Sequence, residues 1–154
     1  MEDDSFDWVT ENLYELVESQ DEECKYIYGL HLLLADVEND GLRGYLMNSS
    51  GDSFSYVRGA FDVLDYVDGQ VWASALEDAF GGVVPVTRDG RIRRVLPLMK
   101  SQSKDDPFDK LSETIDELVP ELEIMLSHLV QKKKSDSGWR PDPATRLGGH
   151  VGNN

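Results

Sequence analysis

Apolar residues recur every three or four positions along most of this chain, and that period decides its fold class. Phe6, Val9, Leu13, Leu16 and Val17 mark an amphipathic helix over 5–20, with Ser5 available to cap it. Tyr26, Ile27, Leu30, Leu33, Leu34 and Val37 mark a second over 22–38. Asn39-Asp40-Gly41 signals a turn, Gly44–Met47 a short helix, and Asn48-Ser49-Ser50-Gly51-Asp52 a dense turn-and-cap cluster. Asp52 or Ser53 then caps a helix over 53–67, apolar at Phe54, Val57, Ala60, Phe61, Leu64 and Val67. Val71, Trp72, Ala75, Leu76 and Phe80 give another over 70–80, stopped by Gly81-Gly82. The last runs over 107–131, with Pro107 suited to its first turn and Pro120 expected to kink or break it. Val83–Val86 is β-prone, but its length and Pro85 argue against a lasting strand. Residues 88–99 read as a short helix or an irregular connection. The expectation is an all-α, compact single-domain helical bundle of about six helices over 1–134. A flexible, Gly- and Pro-containing tail over 135–154 follows, in which Trp139 is the one residue placed to dock.

Charge narrows the function. The formal net charge is −15, and it is segregated. Residues 1–82 hold nineteen acids against Lys25, Arg43 and Arg58, a net of −16, whereas residues 83–134 hold nine acids and ten bases. Phosphate backbones and anionic lipid bind through Lys and Arg, so neither nucleic acid nor a membrane is an expected direct partner. A basic protein surface is the natural complement. Asp7, Glu11 and Glu15 stand at helical spacing on one face, and Glu18 and Glu22 extend the column. Like charges at that spacing cost a helix roughly 0.2–0.5 kcal/mol per pair, so stability alone does not explain them. With a rise of ~1.5 Å per residue they fall every ~6 Å, close to the phosphate spacing of a nucleic-acid strand. Asp62 and Asp65 sit off the apolar face of the helix over 53–67 and extend the candidate acidic surface. The basic run Arg88, Arg91, Arg93 and Arg94 is expected to pair with the acidic half, within one chain or across a dimer.

The sequence carries no complete motif for chemistry. Cys24 is the only cysteine, so no intrachain disulfide or cysteine zinc cluster forms. Asp36–Met47 starts like a calcium loop, but Met47 stands where a bidentate Glu is required. No metal and no cofactor is expected. His31 reads as a packed histidine, and no nucleophile motif or phosphate-binding glycine loop is present. The chain is expected not to be an enzyme. An acidic N-terminus and the lack of a long apolar run point to the cytoplasm.

The stretch from Glu38 to Asp52, and within it Asn48-Ser49-Ser50-Gly51-Asp52, resembles the signature of the DMP19-like DNA-mimic family. Arg58-Gly59-Ala60-Phe61 and Phe108-Asp109-Lys110-Leu111 are similar to its later elements, and the resemblance covers roughly residues 10–130. Asp40, Leu42 and Gly44 stand where the family usually has Gly, Phe and Gln. The resemblance implies an all-helical domain, often a homodimer, whose acidic surface occupies the DNA-binding face of a transcription factor. On the residues themselves, Asn39, Gly41, Asn48, Ser49, Gly51 and Asp52 read as structural, forming a tight connection and a helix cap.

Three functions follow in order. The first is a DNA mimic engaging a basic DNA-binding protein through Asp7, Glu11, Glu15, Glu18, Glu22, Asp62 and Asp65. The second is an immunity- or antitoxin-like inhibitor of a toxin or nuclease, with buried anchors and weaker salt dependence. The third is a small-ligand binder or enzyme with a pocket near the Asn48–Asp52 turn.

Overall fold

The richest apolar stripe of the sequence becomes the central helix. In a computed structural model describing residues 4–49, 51–100 and 107–136, α3 (Glu22–Asn48) buries Ile27, Leu30, Leu33, Leu34, Val37, Leu42, Tyr45 and Leu46. The Asp21 side chain caps it by accepting from the Glu23 N–H at 2.9 Å. Gly41 interrupts it at φ 73°, ψ −169°, a backbone region essentially reserved for glycine. The expected turn at Asn39–Gly41 is thus a kink within one element, with the short Gly44–Met47 helix as its far arm.

The other elements pack around this axis: α1 (Ser5–Glu11), α2 (Leu13–Glu18), α4 (Ser53–Val63), α5 (Val67–Ala79), α6 (Arg88–Lys100) and α7 (Pro107–Ser135). Seven helices and no strand are present among the described residues, one more helix than expected, and the fold is all-α. α7 lies along α3 and also meets α1 and α5; α4 crosses α3 on another side, and α2 and α6 rest on α3. Where α4 crosses, a Cβ on Gly29 would stand 2.8 Å from Tyr56 Cβ and 3.1 Å from the Val57 nitrogen, so the crossing needs a bare backbone. The core gathers Phe61, Trp72, Phe80, Phe108, Ile115 and Leu122 onto the α3 stripe. Trp72 Nε1 donates to the Leu111 carbonyl at 3.0 Å, and the Phe80 and Phe108 rings meet edge to face at 5.5 Å.

Several boundaries differ from expectation, each for a local reason. The helix over 5–20 is two pieces. Asn12 leaves helical geometry (φ −111°, ψ 17°), and its buried side chain donates from Nδ2 to the Trp8 carbonyl at 2.8 Å. Asn competes with the helical ladder in this way. Asp4, not Ser5, holds the cap position of α1. α4 stops at Val63 because Tyr66 N–H bonds to the Phe61 carbonyl and Asp65 N–H to the Asp62 carbonyl, a Schellman pair with Asp65 left-handed at φ 53°. Residues 88–100 are helical. α7 is not broken at Pro120 and continues to Ser135, past the expected end at 131. The expected tail docking by Trp139, and all but the first two residues of the 135–154 tail, lie outside the described residues.

Candidate functional site: an acidic surface

The seven carboxylates singled out from the sequence fall on four elements and their junctions. Asp7 and Glu11 are exposed on α1, Glu15 is half-buried and Glu18 exposed on α2, and Glu22 is the exposed first residue of α3. The break at Asn12 and the end of α2 at Glu18 mean that they do not form one straight helical line. Asp7, Glu11 and Glu18 form no ion pair among the described residues. Glu22 and Asp62 come together around Tyr26. The phenol donates to Glu22 Oε2 at 3.1 Å, and burial first, then Glu22 and the charge of Asp62, push its pKa up. Asp62 also accepts weakly from Gln70 at 3.4 Å. Asp65, exposed, is the left-handed cap of α4.

Among the described residues, five cations are already paired with other acids, three of them with Asp4, Asp21 and Glu23, which flank the acidic residues of α1 and α3. Lys133 is fully buried, with Nζ 2.5 Å from Asp21, 3.4 Å from Glu23 and 3.5 Å from Asp136. Burial opposes its charge, but Asp21 above all, with Glu23, raises its pKa, while its ammonium holds Asp21 below the usual carboxylate range. Asp21, Glu23 and Asp136 are close enough to hold a metal ion, and the lysine ammonium supplies the positive charge there. Lys132 pairs with Glu23 at 3.1 Å, Lys134 with Asp4 at 3.5 Å, Arg43 with Asp109 at 3.0 Å and Arg58 with Glu77 at 3.2 Å.

Within the chain, the basic run on α6 does not pair with the acidic half among the described residues. No ion pair joins Arg88, Arg91, Arg93 or Arg94 to a carboxylate among the described residues. Arg91 is buried and donates instead to four carbonyls: Leu46 at 2.6 Å, Pro85 and Val86 at 2.9 Å each, and Ser49. A guanidinium fork suits this, because the end of α3 leaves carbonyls without helical donors. The role was missed in the sequence, where Arg91 counted only as one member of a basic run. The available signal was its position four residues before the buried Val95, on the apolar face of α6.

The signature turn lies beside this arginine. Gly41 and Gly51 have φ of 73° and 60°, Ser49 is buried, and Asp52 holds the cap position of α4 without a side-chain capping bond. Asn39 and Asn48 are exposed on α3. A cleft of about 330 Å³ opens there, lined by Tyr45, Ser53, Arg58, Glu77 and Arg91 among others. Its two guanidinium groups are occupied: Arg91 by carbonyls, Arg58 by Glu77, the Ser74 hydroxyl and the Gln70 carbonyl. Burial, chiefly, pushes the pKa of the Tyr45 phenol well up.

His31 is 7% exposed beneath Phe6, ring centroids 4.2 Å apart, and burial lowers its pKa. Among the described residues its Nδ1 has no hydrogen-bond partner. No helix among the described residues is long and apolar enough to cross a membrane.

Comparison with known proteins adds one match. The family model described as DMP19-like protein matches residues 18–133, most of the chain. No curated protein and no solved structure matches.

Proposed function

Since this chain belongs to the DMP19-like protein family, we propose that it is a non-enzymatic protein-binding module acting as a DNA mimic. Its acidic surface occupies the DNA-binding face of a basic protein such as a transcription factor. The observation that carries this reading is the separation of charges. Asp7, Glu11 and Glu18 are exposed and without ion pairs among the described residues, while the lysines ending α7 and the Arg43 and Arg58 side chains are paired with other acids. A surface left with its negative charge uncompensated attracts a cationic partner and repels nucleic acid.

The break at Asn12 alters how the mimicry works. The carboxylates make a bent array spread over α1, α2 and the start of α3, not a straight row. Such an array matches a partner surface whose Lys and Arg normally follow a curved phosphate path. The test is capture from lysate of the source cell at low and high salt, with duplex DNA as competitor. A DNA-binding protein held at low salt, released at high salt and displaced by duplex supports the reading. Replacing Glu11, Glu15 and Glu18 together by Gln is expected to abolish that capture; unchanged capture would refute it.

A further inference from the structure

The α1–α7 face carries a groove that charge mimicry alone does not use. It encloses about 550 Å³ and is lined by Phe6, Leu34, Glu38, Pro120, Glu123 and Ile124, with Ser5, Leu126, Ser127 and His128 completing it. That volume lies within the ~300–1,000 Å³ of sites that hold specific ligands. Leu34 and Leu126 are buried in its floor, while Phe6 is 37% and Ile124 57% exposed at its walls. Phe6 and Ile124 are large apolar side chains left exposed at one open groove of a strongly charged protein, where a partner would gain by covering them.

The rim says what that partner carries. Glu38 and Glu123 are exposed, and no Lys or Arg lines the groove among the described residues. The nearby cations of α7 are engaged elsewhere, Lys132 by Glu23 and Lys134 by Asp4 and the Trp8 ring. Pro120 has no N–H to give the Asp116 carbonyl one turn back on the same helix, so this wall is poorer in donors than an ordinary helix. Asp7 stands next to Phe6 on α1 and is exposed, so the groove opens beside the candidate acidic surface. An apolar floor within a negative rim, walled by two helices, complements an amphipathic helix with aliphatic residues on one face and Lys or Arg on the other.

We propose that the α1–α7 groove docks a basic amphipathic helix of the protein whose DNA-binding surface this chain covers, seating aliphatic side chains between Phe6 and Ile124. This rests on the DNA-mimic reading and adds to it. Carboxylates draw the partner in and set its orientation, and the groove supplies the contact that survives salt.

The experiment uses the full chain and two synthetic peptides of identical composition and charge. One places leucines at i, i+3, i+4 and i+7 among lysines and arginines; the other disperses the same leucines around the helix. Binding is measured at low and high salt, with the Ile124 methyl resonances followed by NMR. The patterned peptide is expected to bind at least about tenfold tighter, a difference of about 1.4 kcal/mol, to retain binding at high salt and to shift Ile124. Ile124→Ser, at an exposed position the fold does not depend on, is expected to erase that difference and leave the salt-sensitive part. Equal binding of both peptides, abolished by Glu11→Gln, Glu15→Gln and Glu18→Gln together, would overturn the groove while leaving mimicry standing. Patterned binding indifferent to the triple variant would sink mimicry and keep the groove as an apolar site only. Failure of the patterned peptide to bind would remove the proposal. So would Ile124 shifts in the free protein that follow Trp139→Ala or dilution, since the chain's own C-terminal segment or a second copy would then be the occupant.

Discussion

Two residues stand where a different side chain would fold better or where none would fold as well. The ends of α4 and α5 use the same Schellman geometry: Gly81, at φ 86°, occupies the left-handed position after α5, and Asp65, at φ 53°, occupies it after α4. Glycine is the residue without a penalty there, so Asp65→Gly is expected to raise stability in urea unfolding by up to about 1 kcal/mol. If Asp65 belongs to the partner surface, the same change weakens partner capture, and the opposite signs separate function from folding. Gly41 is the converse case. A Cβ there meets only the Ser112 hydroxyl at 3.8 Å, so space is available, but its backbone angles exclude other residues. Gly41→Ala is expected to cost roughly 1–3 kcal/mol in the same assay, from backbone strain alone. Of these two, Gly41 was legible in the sequence as a turn glycine. Asp65 was not, because an aspartate in a left-handed cap looks like any other exposed acid in a helical period.

At the scale of elements, the apolar period located nearly every helix, and what it misplaced were ends. Asn12 broke α1 from α2 with a side-chain bond to the Trp8 carbonyl one turn back, a choice periodicity cannot register because Val9, Leu13 and Leu16 keep their spacing across the break. Pro120 failed to end α7, whose buried residues Ile115, Leu122, Leu126 and Leu129 hold the helix on both sides. Arg91 ties the end of α3 to the 85–86 segment through four carbonyls. Arg91→Met is expected to cost at least about 3 kcal/mol, since hydrogen bonds to charged groups contribute roughly 1.5–3 kcal/mol each and several are lost together. Arg91→Lys should rescue little of it, because an ammonium cannot span the fork. α1 covers His31 and gives the fold a pH response. Burial depresses the folded pKa of His31 below its unfolded value of about 6.5, so the native state keeps the ring neutral. As pH falls through about 6.5 the unfolded chain takes up a proton that the native chain refuses, and stability drops. Thermal unfolding between mildly alkaline and mildly acidic pH should show that decline in the wild type and a flatter profile in His31→Phe.

The whole molecule holds a net charge of −15, and its self-repulsion opposes folding. Added salt is therefore expected to raise the unfolding midpoint while loosening partner capture, a pairing of opposite trends that one salt titration reads with two assays. The charge imbalance was plain in the sequence; its internal pairing was not, because Lys133 and Asp21 are far apart along the chain and nothing local marks them as neighbours. That bond has a larger consequence. It clasps the start of α3 to the end of α7, almost at the limits of the stretch shared with the family, residues 18–133, and α1 with nearly all of α2 lies ahead of it. Three of the seven carboxylates proposed to meet a partner, Asp7, Glu11 and Glu15, thus ride on a preamble that is held to the body behind it by its buried Val9 and Leu16. Descent could rewrite the exposed positions of that leading segment, trading one target for another or for none, while Val9 and Leu16 keep their places in the fold that carries it.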